Sequence, residues 1–444
     1  MAAVTAADTY RAIEAVWRIE SARLIAGLAR MVRDVGLAED LAQDALVAAL
    51  EHWPESGVPE NPGAWLMATA KHRAIDLLRH STLSARKHEE VLRELEARQE
   101  MSAADFEAAA DDDIGDDLLG LMFTACHPVL STDARVALTL RLLGGLETSE
   151  IARAFLVPEP TVAQRIVRTK RTLAEARVPF EVPRGAELSA RLSSVLEVLY
   201  LVFNEGYSAT AGDDWVRPAL CEEALRLGRI LAGLVPREPE VHGLVALMEI
   251  QASRAAARVG PSGEPVLLLD QDRARWDQLL IRRGLAALER AEELGGALGP
   301  YALQAAIAAC HARARTAAET DWARIAALYE ALARRTPSPV VELNRAVAVA
   351  MASGPAAGLE IADRLTSEPS LAAYHLLPSV RADLLAKLGR FDDARAEFER
   401  AASLTRNARE RRLLLERAGA IRQEPREGVR RGGRKWERGK GTFE

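Results

Sequence analysis

Several features are scarce in this sequence of 444 residues, and each scarcity excludes a class of protein. Its three cysteines, Cys126, Cys221 and Cys310, lack the paired spacing of a zinc site or a disulfide framework, so we interpret them as small core residues. No apolar run approaches the about 18 residues of a membrane span, and no charged-then-apolar leader is present. We therefore expect a cytoplasmic protein with no membrane contact.

The remaining composition favours an all-α fold. Long β-branched runs are absent, aromatic residues make up only 5%, and alanine, leucine and arginine are abundant. With 49% hydrophobic residues the chain can bury substantial cores. At ~100 to 200 residues per domain, it should contain about two to four domains. The net charge of -6 says little about function, because the charges are segregated along the chain.

Residues 147–176 predict two helices that meet at a tight turn. The first begins near Thr148, a suitable N-cap with Glu150 in the first turn, and the second begins with Pro160, which a first turn tolerates. Apolar residues keep an inward spacing in both helices, and in the second helix these are Val162, Ile166 and Leu173. In the second helix the residues left mostly outward are Thr161, Gln164, Arg165, Arg168, Lys170 and Arg171.

The basic character of this second helix predicts DNA binding. Residues 165–184 hold six basic residues and two acids in a chain that is acidic overall. Guanidinium groups on an exposed helix suit phosphate oxygens and guanine edges, so the pattern indicates a helix-turn-helix. The alternative is an ordinary helical hairpin with a solvated charged face.

Charge is sharply divided within the predicted helices of residues 10–80. Residues 34–60 hold seven acids and neither lysine nor arginine, so this part can meet a basic partner. Asp40 and Asp44, four residues apart, share one helical face, with Gln43 beside them. A merely solvated face is the alternative interpretation.

A second helix of this region has an aromatic and basic pattern. It follows a loop too rich in proline and glycine to be regular, at residues 53–63. Residues 71–88 then hold five basic residues, one acid and three histidines. Such a mixture suits single-stranded DNA, since bases can stack while cations meet the backbone. The candidate residues are Trp65, Lys71, Arg73 and Arg79, although Trp65 alone fits a core position equally well.

The order of these segments resembles the bacterial RNA polymerase sigma factors of the extracytoplasmic-function group. An acidic helix, EDLAQDALVAALEHWP, precedes the loop, the helix WLMATAKHRAIDLLRH, an acidic linker and the helix-turn-helix. The resemblance implies two small helical sigma domains, at residues 10–81 and 116–178. It also implies RNA polymerase core and promoter DNA as partners, with no catalytic residues and no cofactor.

The same resemblance assigns the candidate residues by position. Asp40, Gln43 and Asp44 would face the polymerase clamp. Along the opened minus-10 strand would lie Trp65, Lys71, Arg73 and Arg79. The minus-35 duplex would be contacted by Thr161, Gln164, Arg165, Arg168 and Arg171.

Between the two sigma domains, residues 82–115 form a predicted acidic linker. Residues 89–117 hold twelve acids and two arginines with few large apolar groups, so an extended or partly helical segment is expected. Asp112, Asp113 and Asp116 fit a DDxxD pattern that can hold magnesium. Because this motif closes a low-complexity stretch with no apolar helix before it, we expect no metal site.

Residues 186–420 predict a helical extension with repeats of the tetratricopeptide kind. Apolar residues recur every three or four positions, as in amphipathic helices. Gly354 precedes Gly389 by 35 residues, which is close to the tetratricopeptide period of about 34 residues. Residues 203–210 and 267–276 resemble signatures of the sigma-factor subgroup that carries such an extension. We expect the extension to regulate or support activity by docking on the sigma domains or the polymerase. A solenoid that only shields or stiffens is the alternative.

Two rival functions follow from the same residues. The first is a one-component regulator that binds an operator through the helix-turn-helix, with the repeats as a sensor and no polymerase binding; the face of Asp40 and Asp44 argues against it. The second is an enzyme that uses Asn204, Glu205 or Asp270, but no nucleophile-base pair accompanies them. The sequence ends in a basic segment, residues 421–444, for which we expect flexibility and nonspecific affinity for nucleic acid.

Overall fold

The computed structural model describes residues 6–82, 115–208, 216–261 and 264–421. Within these ranges the chain forms eighteen α-helices and no β-strand, which confirms the predicted all-α fold. None of these helices is long and apolar enough to cross a membrane. The contacts divide the chain into two compact units, Met1–Leu201 and Val202–Glu444.

Three helices open the first unit: α1 (Ala6–Val32), α2 (Val35–Ser56) and α3 (Pro62–Thr82). The Asp34 carboxylate caps α2 by accepting a hydrogen bond from the Leu37 amide at 2.9 Å. Gly57, with a φ of 82°, ends the helix in a conformation that glycine adopts without strain. The buried side chains of this bundle include Leu28, Leu41, Trp53 and Leu66.

Four further helices complete the predicted sigma region: α4 (residues 115–125), α5 (Thr132–Leu142), α6 (Thr148–Phe155) and α7 (Glu159–Glu175). Helices α6 and α7 form the predicted helix-turn-helix, and Leu156 makes the turn with a left-handed φ of 50°. The prediction that Thr148 is the N-cap was wrong. Glu147 takes that position, and its amide donates to the Glu150 carboxylate at 2.8 Å, so Thr148 is the first helical residue.

The first half of the next helix, α8 (Ala186–Tyr207), is attached to this region. Arg191, which is 7% exposed, donates to the Phe123 carbonyl oxygen at 3.0 Å. The Ser194 hydroxyl donates to the Cys126 carbonyl oxygen at 2.6 Å and accepts from Arg135. The boundary between the two units therefore falls inside α8, whereas the sequence placed the start of the extension at residue 186.

The second unit continues with ten helices within the described residues: α9 (Pro218–Leu234), α10 (Pro239–Ala252), α11 (Gln278–Glu293), α12 (Pro300–Arg313), α13 (Trp322–Arg335), α14 (Pro339–Ser353), α15 (Pro355–Arg364), α16 (Leu376–Lys387), α17 (Phe391–Leu404) and α18 (Ala408–Ala420). From α12 onward each helix packs on the next, as in a stack of helical hairpins. Gly354 and Gly389, the predicted repeat partners, both turn the chain between two helices with positive φ, at 102° and 76°.

At Gly206 the helices α8 and α9 approach each other closely. A Cβ atom built there would lie 2.6 Å from the Cys221 amide nitrogen and 2.9 Å from its Sγ. The Gly206 carbonyl oxygen also accepts from the Arg217 amide at 2.7 Å, just before α9. Glycine is therefore required at this position by the spacing of the two helices.

We expect Gly206→Ala to destabilise the second unit by about 1–3 kcal/mol, because the added methyl group must push α9 away from α8. Urea unfolding followed by circular dichroism measures this change. Gly233→Ala is the matched control, since nothing lies within 4 Å of a Cβ at that helical position. The control should be neutral or stabilising by up to about 1 kcal/mol. Equal behaviour of the two variants would contradict the packing argument.

Candidate nucleic-acid interface

Helix α7 presents its predicted DNA-facing residues on one exposed side. The inward prediction is confirmed for Val162, Ile166 and Leu173, which are buried. Thr169 is buried as well, and its hydroxyl donates to the Arg165 carbonyl oxygen at 2.7 Å. Exposed or half-buried on the other side are the five residues predicted to meet the minus-35 duplex: Thr161, Gln164, Arg165, Arg168 and Arg171.

The cations of this side differ in their partners. Arg165 Nη2 lies 3.2 Å from Asp133 Oδ2, and Arg171 Nε lies 2.7 Å from Glu175 Oε1. Arg168 forms no ion pair with any described residue. A shallow groove of about 350 Å³ runs between this side of α7 and residues 129–134. A phosphate that bound Arg165 or Arg171 would have to replace an acid, whereas Arg168 is available as it stands.

Lys170 does not share this exposed side, and its predicted outward position was wrong. Its ammonium Nζ lies 2.6 Å from Oε2 of Glu39, which is 3% exposed on α2. On the other carboxylate oxygen of Glu39, Arg141 Nε lies at 2.7 Å. Burial by itself raises the pKa of a carboxyl, but the Lys170 ammonium and the Arg141 guanidinium outweigh burial and hold the pKa of Glu39 below its usual value.

Glu39 is the residue that the sequence interpretation missed. It occupies an inward position of α2 among the buried residues Val35, Ala38 and Ala42. A carboxylate on an apolar helix face signals a compensating cation, since an unpaired buried charge is costly. The signal does not say where in the chain that cation lies.

The three residues predicted to face the polymerase lie around Glu39 on α2. Asp40 and Asp44 are exposed, while the Gln43 amide donates to Glu39 Oε1 at 2.9 Å. Asp40 Oδ1 also lies 3.9 Å from Lys170 Nζ. The predicted acidic face is thus present, and Gln43 and Asp40 are both engaged with groups that meet at Glu39.

The predicted minus-10 residues lie on α3. The half-buried Trp65 packs edge-on against the buried Trp53, with ring centroids 5.3 Å apart. Lys71 is half-buried, and Arg73 Nη1 lies 3.3 Å from Asp44 Oδ2. The side chain of Arg79 lies outside the described part of the structure. Arg73 and Asp44 thereby join the predicted DNA-facing helix to the predicted polymerase-facing helix.

Comparison with known proteins agrees with this arrangement. Residues 19–83 match the family described as Sigma-70 region 2, and residues 121–173 match Sigma-70, region 4. Over 170 residues the chain is 25% identical to a probable extracytoplasmic-function RNA polymerase sigma factor of Mycobacterium tuberculosis, SigI, covering 38% of this chain and 57% of that protein. The chain belongs to the extracytoplasmic-function sigma factors.

Two other relatives extend the comparison. The sigma factor SigC of Mycobacterium tuberculosis is 28% identical over 149 residues, covering 34% of this chain and 75% of that protein. An uncharacterized protein of Rhizobium meliloti is 43% identical over 399 residues, covering 90% of this chain and 93% of that protein. Residues 191–292 match a family of unknown function, DUF6596. No solved structure matches this sigma factor.

The signature residues that lie within the DUF6596 match, residues 191–292, make contacts inside the extension. Glu205 forms an ion pair with Arg217, and the Arg258 guanidinium lies 3.6 Å from the centroid of the Tyr207 ring. Asp270 is exposed in a short 3-10 helix, and Asn204 lies in the last turns of α8, where its carbonyl oxygen accepts from the Ser208 amide. These contacts join neighbouring segments of the extension.

The three cysteines have the environment of core residues. Cys126 and Cys310 are buried, and Cys221 is half-buried. Burial raises the pKa of the Cys126 thiol to about 11 and that of Cys221 to about 12, so both are neutral thiols at pH 7. Among the described residues no group of three acids, histidines or cysteines could hold a metal ion. Asp112 and Asp113 of the DDxxD pattern lie outside those residues.

We expect Arg168→Ala to weaken minus-35-dependent promoter binding by about 5- to 150-fold, because a guanidinium contact to DNA is worth about 1–3 kcal/mol. Filter binding at several salt concentrations measures the affinity for promoter DNA. If Arg168 contacts a phosphate, the steepness of log affinity plotted against log salt concentration should fall by about 1. Arg334→Ala removes another exposed arginine, one that pairs within its own helix, and it should change neither quantity. Identical binding by the two variants would exclude Arg168 from the DNA contact.

Proposed function

We propose that this sigma factor binds RNA polymerase core through the α2 face of Asp40, Gln43 and Asp44 and reads promoter DNA with α3 and α7. The observation that carries the proposal is that one compact unit presents three different surfaces in a fixed order along the chain. An exposed acidic helix, an aromatic and basic helix and an exposed cationic recognition helix follow one another in the first unit. A polymerase-binding factor that contacts two promoter elements needs each of these three surfaces.

In this proposal α7 reads the minus-35 duplex through Thr161, Gln164, Arg165, Arg168 and Arg171. This assignment is supported by the exposed side of α7 that the five residues share and by the groove beside it. On α3, Trp65, Lys71, Arg73 and Arg79 hold the opened minus-10 strand. Capturing unstacked bases costs a few kcal/mol per step, and the strand contacts offset this. The family consists of transcription initiation factors, so the work is binding and strand capture, with no covalent chemistry.

The proposed domains follow the sequence prediction with one refinement. Residues 10–81 and 116–178 are the two sigma domains, joined by the acidic linker of residues 82–115. The extension of residues 186–420 regulates or supports activity by docking on the sigma domains or the polymerase. The contacts of Arg191 and Ser194 support counting the first half of α8 with the second sigma domain. The basic segment of residues 421–444, of which residues 422–444 lie outside the described part of the chain, adds nonspecific affinity for nucleic acid. A factor that acts on polymerase works in the cytoplasm.

The rival function, a one-component regulator with a sensor domain, is not favoured. Such a protein needs only the helix-turn-helix and a sensor. That function does not account for the match to Sigma-70 region 2 or for the exposed acids of α2.

A core-binding assay separates the two functions. We expect labelled full-length protein to bind purified core polymerase, and the double variant Asp40→Asn, Asp44→Asn to bind about tenfold more weakly because it loses two interfacial charges. Fluorescence anisotropy measures both dissociation constants. Glu14→Gln, which removes an exposed acid from α1, is the control and should leave the affinity unchanged. Absence of core binding by the wild type would favour the one-component regulator.

Two truncations test the extension. A chain ending at Leu201 keeps the first unit whole, whereas one ending at residue 185 loses the contacts of Arg191 and Ser194. We expect the shorter chain to unfold at a lower temperature. In promoter-specific transcription, the chain ending at Leu201 should differ from the full-length protein. If its activity equals that of the full-length protein, the regulatory or supporting role of the extension is wrong.

A further inference from the structure

An exposed valine stands among the proposed DNA-reading residues of α7. Val167 is 65% exposed, although valine is one of the residues that most often lie inside a protein. It takes no part in the buried side of α7, which is formed by Val162, Ile166, Thr169 and Leu173. The packing of this helix therefore does not require an apolar side chain at position 167.

Helical geometry places Val167 beside the polar readers. It follows Gln164 by three residues and precedes Arg171 by four, the spacings at which side chains on one face of a helix are neighbours. Arg168, the next residue along the chain, is exposed as well. Val167 does not line the groove beside residues 129–134, and at 3.6 residues per turn it falls on the other edge of this exposed side.

The charge of α7 indicates what covers this valine. Residues 160–174 hold four cations and no acid. A polyanion is complementary to such a helix, and the major groove of DNA is wide enough to admit one α-helix. A single exposed valine needs no explanation on an ordinary surface, but Val167 lies within a side that is complementary to DNA.

The major groove offers one methyl group to an apolar side chain. Guanine, adenine and cytosine present hydrogen-bond donors and acceptors there, whereas thymine also presents the methyl group on its C5 atom. Gln164 and Arg168 can hydrogen-bond to base edges, and a valine cannot. The specific contact available to Val167 in the groove is therefore packing against a thymine methyl group, which removes two apolar surfaces from water.

We propose that Val167 is a specificity-determining residue, which selects a thymine of the promoter by packing against its C5 methyl group. The proposal deepens the proposed function and rests on it, because it needs α7 to read the minus-35 duplex. Phosphate contacts position a helix on DNA but carry no sequence information directly. Val167 adds discrimination of one base pair that such contacts lack, and the upstream element must contain a thymine that is recognised through its methyl group.

Replacing thymine by deoxyuridine tests this contact, because uracil pairs as thymine does but lacks the methyl group. Holoenzyme formed from the full-length protein and purified core polymerase captures duplexes from a randomised DNA pool, and core polymerase alone gives the background. The sequence shared upstream among the captured duplexes defines the upstream element. One captured duplex is then resynthesised with each thymine of that element replaced singly, and fluorescence anisotropy measures the dissociation constants.

We expect one of these replacements to weaken binding by the wild-type holoenzyme about fourfold, the effect of losing one buried methyl-sized group. Val167→Ala should bind the thymine and uracil duplexes equally, because the side chain that packs on the methyl group is gone. Its melting temperature should equal or exceed that of the wild type, since alanine is the better helix former. Leu415→Ala, which shortens another exposed apolar side chain on α18, is the matched control and should keep the full preference for thymine.

Each contrary outcome has a distinct meaning. If the upstream element contains no thymine, if no replacement weakens binding, or if Val167→Ala keeps the same loss as the wild type, the role of Val167 is wrong while the proposed function stands. A lower melting temperature of Val167→Ala with equal weakening on both duplexes assigns this residue to folding and also overturns its role. If the wild-type holoenzyme captures no duplex beyond those of core alone, the proposed function is refuted, and the role of Val167 falls with it.

Discussion

The first unit depends on the compensation of one buried carboxylate. Glu39 is held between a guanidinium 102 residues away and an ammonium on the recognition helix. Without both cations, a charge with 3% exposure would be strongly unfavourable on the apolar face of α2. The positions of α5 and α7 relative to α2 are therefore tied to this group, and with them the relation between the two sigma domains.

This constraint links the two binding tasks of a sigma factor. The face proposed to meet polymerase and the helix proposed to read DNA are opposite sides of one ion-paired cluster. Arg73 and Asp44 form a second such link, between α3 and α2. Charged residues suited to polymerase and DNA are here satisfied by one another, so a binding partner must offer at least equivalent contacts.

The second unit also contains buried, paired carboxylates, such as Glu249 with Arg229 at 2.8 Å. From α12 onward its helices stack in sequence order, and close contacts rely on small residues such as Gly206 and on arginines placed over aromatic rings. Arg258 covers Tyr207, and Arg417 lies 4.5 Å from the centroid of the Phe398 ring. The signature segments of the extension join neighbouring helices.

Local patterns in the sequence were sufficient to predict the helices and which of their sides are exposed over much of the surface. The three and four spacing of Val162, Ile166 and Leu173 determined which side of α7 is buried, because that periodicity is a property of any helix. Repeat spacing likewise identified Gly354 and Gly389 as turn positions. The functional roles of the five exposed residues of α7 stay predictions, since only binding tests them.

What the sequence could not determine was which distant groups meet. It left Lys170 among the outward residues and passed over Glu39, since helical periodicity does not reveal a partner more than one hundred positions away. It also placed the start of the extension at residue 186, whereas contacts of Arg191 and Ser194 attach half of α8 to the preceding domain. By itself the sequence determined an all-α sigma factor with a basic recognition helix. Only the tertiary structure decided that this helix closes against α2, because the energy of a buried charge depends on which groups surround it in space.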